Sequence, residues 1–310
     1  MKYDVALPGT NHLPGKFEWA WDLSSEETKR ILVAIDELGY DTVTVSEHLA
    51  MPYFEVDRLG DYWQDALSVM AFVAGATSNV RIDTTVLVLP YHHPLRLAKA
   101  ISTMDVLSGG RINLSIGVGH AEAEFAALDV PFTTRGAMTD EALAVLLELW
   151  TEKEPDCRGE FFTVSGLAFE PKPVQRPGPP IYVGGNSKPA LRRAARHDGW
   201  QPNPYAAEID ELPALLDYLR SQPEYEGKDD TFDVNWMFAP SDVPVPDSFG
   251  SASAVELKDY RDQLIERYHG TFAEVGITRA GVGVPSGIAS VEEFIDFLGW
   301  FAVEVIGERG

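Results

Sequence analysis

The sequence contains little cysteine, little positive charge and no long apolar run. Its single cysteine, Cys157, cannot form an internal disulfide, so we expect a reducing, cytoplasmic environment. The 25 Lys and Arg residues are outnumbered by 48 Asp and Glu residues, which gives a formal net charge of −23 at pH 7. This charge disfavours nucleic acid and anionic membrane surfaces as partners. No apolar stretch has the length of a membrane span, and we expect the first residues to form a strand rather than a signal peptide.

Several catalytic signatures are also missing. No Gly-x-Ser-x-Gly elbow and no Gly-Lys-Ser/Thr phosphate loop occurs, which argues against a serine hydrolase and a phosphate-loop enzyme. His-x-His and His-Glu-x-x-His spacings are absent as well, so we predict that no metal is bound. A divalent-metal site is the alternative. Its candidate ligands are Glu47, His48, His92, His93, His120 and Glu122.

Strand-like and helix-like segments alternate along the chain. The predicted strands are residues 4–7, 42–46, 81–89, 112–116, 181–183, 199–201, 232–238 and 280–284. The predicted helices are residues 24–38, 61–77, 94–107, 139–150, 189–197, about 208–220, about 255–270 and about 291–303. The strands are short, apolar and hardly alternating, which is typical of parallel strands buried on both faces.

Eight such units predict an α/β fold, a (β/α)8 TIM barrel formed by one domain over residues 1–310. An open doubly wound sheet is the alternative. Residues 129–136 with 151–180, and residues 239–254, are predicted to be insertions at the C-terminal mouth of the barrel.

Candidate functional residues follow the ends of four predicted strands, where a barrel of this kind places its chemistry. Glu47 and His48 follow the second strand, and residues 117–120, Gly-Val-Gly-His, follow the fourth. Residues 84–91 end the third strand, and residues 184–187, Gly-Gly-Asn-Ser, follow the fifth. These strand ends supply two histidines, an apolar strand end and two glycine turns. This combination suits a flat, phosphorylated cofactor better than a metal.

The turn at 184–187 has the features of an anion site. Gly184 and Gly185 lack a Cβ, so the backbone there can turn tightly and approach a ligand. Ser187 is a typical helix N-cap, and free amides at a helix N-terminus bind anions. Lys188, Arg192 and Arg193 add positive charge nearby. The alternative is an ordinary connection between a strand and a helix.

Longer segments resemble one known family. Residues 39–48, residues 93–119 and residues 179–187 look like the corresponding segments of the luciferase-like monooxygenase superfamily. Further similar positions are Glu124 with the following Phe, Arg135, Glu141, and residues 150–152, 159–162, 171–175 and 198–200. The similarity covers nearly the whole chain in the right order. It is greatest to the branch that uses coenzyme F420, a deazaflavin, in place of FMN.

The resemblance implies a hydride transfer between a small organic substrate and coenzyme F420. One alternative is an FMN-dependent monooxygenase that uses reduced flavin and oxygen, and another is a flavin-binding relative without catalytic activity. A homodimer is expected. Some deazaflavin dehydrogenases of the family have a glutamate where this chain has His120, which argues against a sugar-phosphate dehydrogenase. Substrate contacts are expected in residues 52–59 and 239–254.

The resemblance also implies the roles of individual residues. His48, His120 and Glu47 would be catalytic, with a histidine moving the proton because its side chain titrates near neutral pH. The simpler alternative is that Glu47 or a backbone carbonyl holds His48 to shape its loop. A bulge at about residues 84–87, often with a non-prolyl cis peptide, would support the cofactor ring, and Trp200 would close the pocket. The implied cofactor-binding residues are His48, Thr84, Thr85, Val86, Leu87, Gly117, Val118, Gly119, His120, Gly184, Gly185, Asn186, Ser187 and Trp200.

Overall fold

The computed structural model describes residues 1–237, 243–244, 246, 249–285 and 287–307. Its strands are β1 (Lys2–Ala6), β2 (Thr42–Val45), β3 (Arg81–Thr84), β4 (Leu87–Val88), β5 (Leu114–Gly117), β6 (Cys157–Arg158), β7 (Thr163–Val164), β8 (Ile181–Gly184), β9 (Gly199–Gln201), β10 (Asp233–Trp236) and β11 (Arg279–Gly281). Nine of these strands pair in the order β3-β2-β1-β11-β10-β9-β8-β5-β4. All of their pairings are parallel.

This sheet curls into a nearly closed barrel, which confirms the predicted fold class. Strands β3 and β4 lie at opposite ends of the pairing order, yet only Thr85 and Val86 separate them in the chain. They are therefore two segments of the third barrel strand, predicted as the single strand 81–89. A parallel bridge between Ile82 and Ile112 joins the two ends of the sheet, with the amide of Ile82 donating to Arg111 at 3.0 Å.

Helices surround the barrel and connect its strands. They are α1 (Ser25–Glu37), α2 (Val56–Leu59), α3 (Ala66–Ala76), α4 (Pro94–Ser108), α5 (Glu122–Ala127), α6 (Arg135–Thr151), α7 (Lys188–Ala194), α8 (Leu212–Arg220), α9 (Ala254–Ile265) and α10 (Val291–Phe301). A capping box between Ser24 and Glu27 starts α1, and Gly109, with a left-handed φ of 71°, ends α4. Within the described ranges, no helix is both long and apolar enough to cross a membrane.

One predicted helix begins later than the sequence indicated. Residues 61–77 were expected to be helical, but α3 starts at Ala66 because Asp65 caps it, its carboxylate accepting the amide of Ser68 at 2.8 Å. The residues before the cap are drawn into an antiparallel pairing with the loop after β1, through the bridge between Asn11 and Trp63. This tertiary pairing overrides the local helical pattern.

The two predicted insertions have different outcomes. The stretch 151–180 was expected to be a loop, but it contains the small antiparallel hairpin β6–β7. Part of the stretch 239–254 lies outside the described residues. The last residue of the predicted strand 232–238 also lies outside them. That residues 1–310 form a single domain stays a prediction.

The interior of the barrel is polar and charged. Arg279 is 2% exposed, and its guanidinium donates to Asp4 at 3.0 Å. Asp83 is fully buried and accepts the amide and the hydroxyl of Ser115 at 2.7 and 2.9 Å. Burial raises the pKa of Asp83 to about 6, although the charge of Arg279 opposes this shift. Arg279 and Asp83 are thus paired with neighbouring side chains inside the barrel, and the loops at its C-terminal mouth are where a barrel of this kind carries its site.

Candidate functional site

The two candidate histidines lie together at the mouth of the barrel. His48 follows β2 and His120 follows β5, and their ring centroids are 5.7 Å apart with perpendicular ring planes. His120 is exposed. Desolvation by surrounding groups is the largest cause that lowers the pKa of His120, and the proximity of His48 lowers it further. His120 is therefore neutral at neutral pH, whereas the catalytic role of both histidines stays a prediction.

His48 is held by Glu124, on α5, and not by its neighbour Glu47. The Nδ1 atom of His48 is 2.9 Å from Oε2 of Glu124. The same carboxylate accepts the amides of Leu49 and Ala50 at 2.6 and 3.2 Å, so it fixes both the ring and the loop that follows it. By sequence, Glu124 is only part of a family motif, and its role at the site was not expected.

The charge state of Glu124 decides which nitrogen of His48 is free. Burial alone would raise the pKa of Glu124, but the hydrogen bonds from His48, Leu49 and Ala50 lower it below its usual value. An ionised carboxylate only accepts hydrogen bonds. Nδ1 of His48 therefore carries a hydrogen atom and donates the hydrogen bond to Glu124. Nε2 of His48 makes no hydrogen bond with the described residues. Nε2 of His48 is therefore the ring nitrogen left available to a ligand.

Glu47 does not face the mouth, which corrects its expected place among the catalytic groups. Its side chain is 1% exposed, because both oxygens are used inside the protein. Oε2 accepts the amide of Val88 at 2.6 Å, and Oε1 is 2.8 Å from Nε2 of His92. Glu47 thus holds β4 in place immediately after the interruption in the third barrel strand.

That interruption contains a cis peptide between Thr85 and Val86, within the bulge that was expected at about residues 84–87. Thr85 and Val86 are half-buried, and the hydroxyls of Thr85 and Ser46 are 3.2 Å apart. Thr84 and Leu87, in contrast, are completely buried. Of the four residues expected to contact a cofactor here, only Thr85 and Val86 therefore have surface to offer it.

The side chain of Val86 lies between the two glycine turns. A Cβ on Gly117 would lie 2.7 Å from Cγ2 of Val86, and a Cβ on Gly184 would lie 3.1 Å from Cγ1. From the sequence, Gly184 was expected to leave room for a ligand. In the structure this room is taken up by Val86, so Gly117 and Gly184 are needed for packing beneath the mouth.

The other two glycines of these turns are explained by their backbone conformation. Gly119 and Gly185 have φ angles of 78° and 106°, in the region that L side chains rarely adopt. Gly185 is further held by Trp200, whose Nε1 donates to its carbonyl at 2.8 Å. Trp200 is fully buried, so it supports the turn from inside the protein and does not close a pocket from above. Val118 is half-buried beside these turns.

The turn at 184–187 leads into α7 as predicted. The Oγ atom of Ser187 accepts the amide of Ala190 at 3.4 Å, as a helix N-cap does. The side chain of Asn186 exchanges two hydrogen bonds of 2.8 Å with the backbone of Asn203 in the next loop. Ser187 is exposed, and the whole turn is anchored by side chains on either side of it.

Positive charge lies beside this turn, on residues exposed to solvent. The Nζ atom of Lys188 is 5.4 Å from the ring centre of Tyr218, and Arg192 donates to the hydroxyl of Tyr218 at 3.0 Å. Both cations therefore keep donors available for an anionic ligand.

At the site, His48 pairs with Glu124 and His92 pairs with Glu47. No group of three His, Cys, Asp or Glu side chains converges on a point that could hold a metal ion, as far as the described residues extend. Cys157 is a free thiol, and burial is the largest cause that raises its pKa.

Comparisons with known proteins identify similar sequences and a similar fold. A family model described as luciferase-like monooxygenase matches residues 2–241. An uncharacterized protein of Mycobacterium tuberculosis is 30% identical over 215 residues, which cover 65% of this chain and 73% of that protein. The FMNH2-dependent dimethylsulfone monooxygenase of Pseudomonas putida is 25% identical over 296 residues, which cover 93% of this chain and 77% of that enzyme.

Two solved structures have the same fold. The monooxygenase RslO1 from Streptomyces bottropensis superimposes with a TM-score of 0.79 and 21% identity, and the match covers 100% of both chains. The coenzyme F420-dependent tetrahydromethanopterin reductase from Methanopyrus kandleri superimposes with a TM-score of 0.71 and 15% identity, covering 100% of this chain and 99% of that one. These similarities establish the barrel, and they include both an oxygenase and an F420-dependent enzyme.

Proposed function

The chain belongs to the luciferase-like monooxygenase family, and on that premise we propose that it transfers a hydride between a small organic substrate and coenzyme F420. The single observation that carries the proposal is the pair formed by His48 and Glu124 at the mouth of the barrel. A hydride transfer from a carbon that bears a hydroxyl, or to a carbonyl carbon in the reverse direction, also moves a proton to or from the oxygen, and this pair supplies a group for that proton. A cytoplasmic homodimer is part of the proposal.

The residues present at the mouth fit a cofactor with a flat ring and a phosphate. Val86 and Thr85 offer partly apolar surface between the two glycine turns. Exposed Ser187, Lys188 and Arg192 offer a hydroxyl and two cations beside Gly185, the groups that a phosphate or carboxylate tail needs. When bound, coenzyme F420 would accept or donate the hydride.

His48 would exchange the proton at Nε2. In the oxidative direction, the hydroxyl proton of the substrate would pass to Nε2 as the neighbouring carbon loses its hydride, which turns an alcohol into a carbonyl compound. Glu124 would stabilise the protonated ring through Nδ1, because its carboxylate carries the opposite charge. Neutral His120, whose ring lies 5.7 Å from that of His48, would hydrogen-bond the substrate oxygen.

A second candidate is an FMN-dependent monooxygenase. It is favoured by the similarity to the FMNH2-dependent dimethylsulfone monooxygenase, which extends over 93% of this chain. The preference for coenzyme F420 over FMN follows from the resemblance of the chain as a whole to the F420-using branch. In the second candidate, a separate reductase would supply the reduced flavin.

Equilibrium titration of the purified protein with each cofactor, followed by fluorescence, tests the choice between them. We expect tighter binding of coenzyme F420 than of FMN. If FMN binds at least as tightly, the branch assignment is wrong and the monooxygenase takes its place. If coenzyme F420 binds but a panel of alcohols and ketones shows no turnover, the chain is a cofactor-binding protein and the hydride-transfer proposal fails.

A glycine variant tests whether the turn beside α7 holds the cofactor. Gly185→Val puts a branched side chain at a φ of 106°, which distorts the turn, and we expect a large loss of cofactor affinity in a folded protein. Gly227→Val is the matched control, because Gly227 also has a positive φ of 80° and open space but lies between α8 and β10. Equal cofactor affinity in the two variants would show that the turn is only structural.

A further inference from the structure

One long segment of this acidic chain contains no acidic residue. Residues 171–197 include six Lys or Arg residues and no Asp or Glu, although the whole chain has 48 acidic against 25 basic residues. Three of these cations, Lys188, Arg192 and Arg196, recur at intervals of four, which places them on one face of α7 and of the turn that continues it. All three are exposed, and we call them the cationic face.

A cavity lies beside the cationic face, on the flank of the barrel. Arg192 and Arg196 line it from one side, Asp140 of α6 lines it from another, and Gln222 and Glu224 line it from the turn after α8. Its volume is about 290 Å³. Small-molecule sites have volumes of about 300–1,000 Å³, so this cavity suits a small ligand.

The two arginines that line the cavity have donors left for a ligand. Arg192 donates to the hydroxyl of Tyr218 at 3.0 Å and forms no ion pair with any described residue. Arg196 donates to Oδ1 of Asp140 at 2.6 Å. Because a guanidinium has five N–H donors, one such bond leaves most of them free in both side chains.

Positive charge exceeds negative charge around the end of α7. The single carboxylate of Asp140 accepts hydrogen bonds from two guanidiniums, those of Arg193 and Arg196. Burial lowers the pKa of His197 to about 4, and the charges of Arg196, Lys228 and Arg193 lower it further, while only Asp140 opposes them. An anion that enters this cavity therefore meets a favourable potential, unlike over most of a protein with a net charge of −23.

The spacing of the arginines narrows the chemistry of the ligand. A guanidinium binds a carboxylate or a phosphate through two parallel hydrogen bonds. Arg192 and Arg196 are four residues apart, which is about 6 Å along a helix axis, so a single small anion cannot use both forks fully. A small molecule with at least two anionic groups can.

We propose that the cationic face and its cavity bind a small molecule that carries two or more carboxylate or phosphate groups. Two sources of such a ligand share this chemistry. It is either a separate anion or the anionic end of a cofactor whose phosphate lies at the turn 184–187, and only in the second case does the inference rest on the proposed function.

Citrate, which has three carboxylates, is the probe for the site. We expect isothermal titration of the protein with citrate to give saturable binding. Acetate, which has a single carboxylate, is the control at the same ionic strength, because salt screens exposed charges in the same way with both anions. We expect no saturable binding of acetate. Citrate that binds no more tightly than acetate would overturn the proposal.

A pair of arginine variants locates the citrate. Arg196→Gln removes a charged donor at the cavity, and we expect about tenfold weaker citrate binding, since a hydrogen bond between charged groups contributes about 1.5–3 kcal/mol. Arg158→Gln is the matched control, because Arg158 is also exposed and paired with an aspartate, Asp156 at 3.0 Å, but lies on β6. Both variants change only an exposed side chain, so both should fold. Equal citrate affinity in the two variants would contradict the proposal.

A titration with coenzyme F420 distinguishes the two sources. If Arg196→Gln weakens the binding of F420 as well as that of citrate, the ligand is the end of the cofactor. If it weakens citrate alone, the ligand is a separate anion. If neither F420 nor FMN binds the parent protein, the proposed function fails, while the citrate comparison still decides on the site. If Arg196→Gln changes the affinity for neither citrate nor F420, the cationic face binds no ligand and the inference is wrong.

Discussion

Two histidine–glutamate pairs lie near the mouth of the barrel, and they differ in what they hold. In the first, Nδ1 of His48 is 2.9 Å from Glu124, and in the second, Nε2 of His92 is 2.8 Å from Glu47. Their histidine side chains are similarly accessible, at 12% and 16%, and both glutamates are 1% exposed. Exposure and distance therefore do not distinguish a reactive pair from a structural one.

The other partners of the glutamates do distinguish them. Glu124 fixes the amides of Leu49 and Ala50 in the loop after β2, so its pair belongs to the mouth. Glu47 fixes the amide of Val88 behind the cis peptide, so its pair belongs to the barrel wall. We infer that the first pair exchanges protons and that the second keeps the third barrel strand in shape.

The largest expected effect comes from breaking the mouth pair at its histidine. His48→Gln keeps a hydrogen-bonding side chain but removes the ring nitrogen proposed to exchange the proton, so turnover should fall by about 10²–10⁴-fold while cofactor affinity changes only modestly. His92→Gln is the matched change in the other pair and should leave turnover within a few-fold. Steady-state kinetics at saturating cofactor provide the measurement. Equal losses in the two variants, or no loss in His48→Gln, would refute the assignment.

Breaking the wall pair at its glutamate should affect stability more than catalysis. Glu47→Gln places an amide where the amide of Val88 and the ring of His92 both require an acceptor. One buried donor is left unpaired, which costs about 1–3 kcal/mol of unfolding free energy. Urea denaturation measures this loss. A stable Glu47→Gln protein with a large loss of turnover would move Glu47 back among the catalytic groups.

The corresponding change in the mouth pair should be visible in turnover. Glu124→Gln removes the negative charge that stabilises protonated His48, and we expect about tenfold slower turnover, since a charge-assisted hydrogen bond contributes about 1.5–3 kcal/mol and 1.4 kcal/mol is tenfold in rate. The pH profile of turnover should shift in Glu124→Gln and not in Glu47→Gln. An unchanged profile would show that Glu124 only shapes the loop.

The smallest effect concerns acid stability. The pKa of Glu124 in the folded protein lies below its usual value, so its stabilising contribution is complete above the unfolded pKa of about 4.3 and is lost as the pH falls through the folded pKa. The difference in unfolding free energy between the parent protein and Glu124→Gln should therefore shrink between about pH 6 and about pH 3. A difference that grows toward acid would contradict the lowered pKa.

The barrel could be predicted from the sequence because its eight strands are short, apolar and separated by helices. The break at Thr85 and Val86 could not be predicted from composition, since residues 81–89 form one continuous strand-like run. Only the family resemblance indicated a bulge there, and the structure has its cis peptide within it.

The pairing of His48 with Glu124 across the mouth could not be predicted from the sequence. Glu124 follows His48 by 76 positions, and the adjacent Glu47 is the more obvious partner by sequence. Successive side chains of an extended backbone point to opposite sides, so Glu47 points inward where His48 points to the mouth. Helix α5 brings Glu124 to the mouth. The packing of Val86 between Gly117 and Gly184 likewise left no separate signal in the residue types.

The assignment of the two pairs can be tested most directly with the nitrogen NMR signals of the two histidines, before and after coenzyme F420 is added. We predict that Nδ1 of His48 and Nε2 of His92 carry protons, and that Nε2 of His48 is the nitrogen whose signal moves when the cofactor binds. The signals of His92 should stay in place. A protonated Nε2 with a bare Nδ1 in His48, or a cofactor response at His92 instead of His48, would contradict the account.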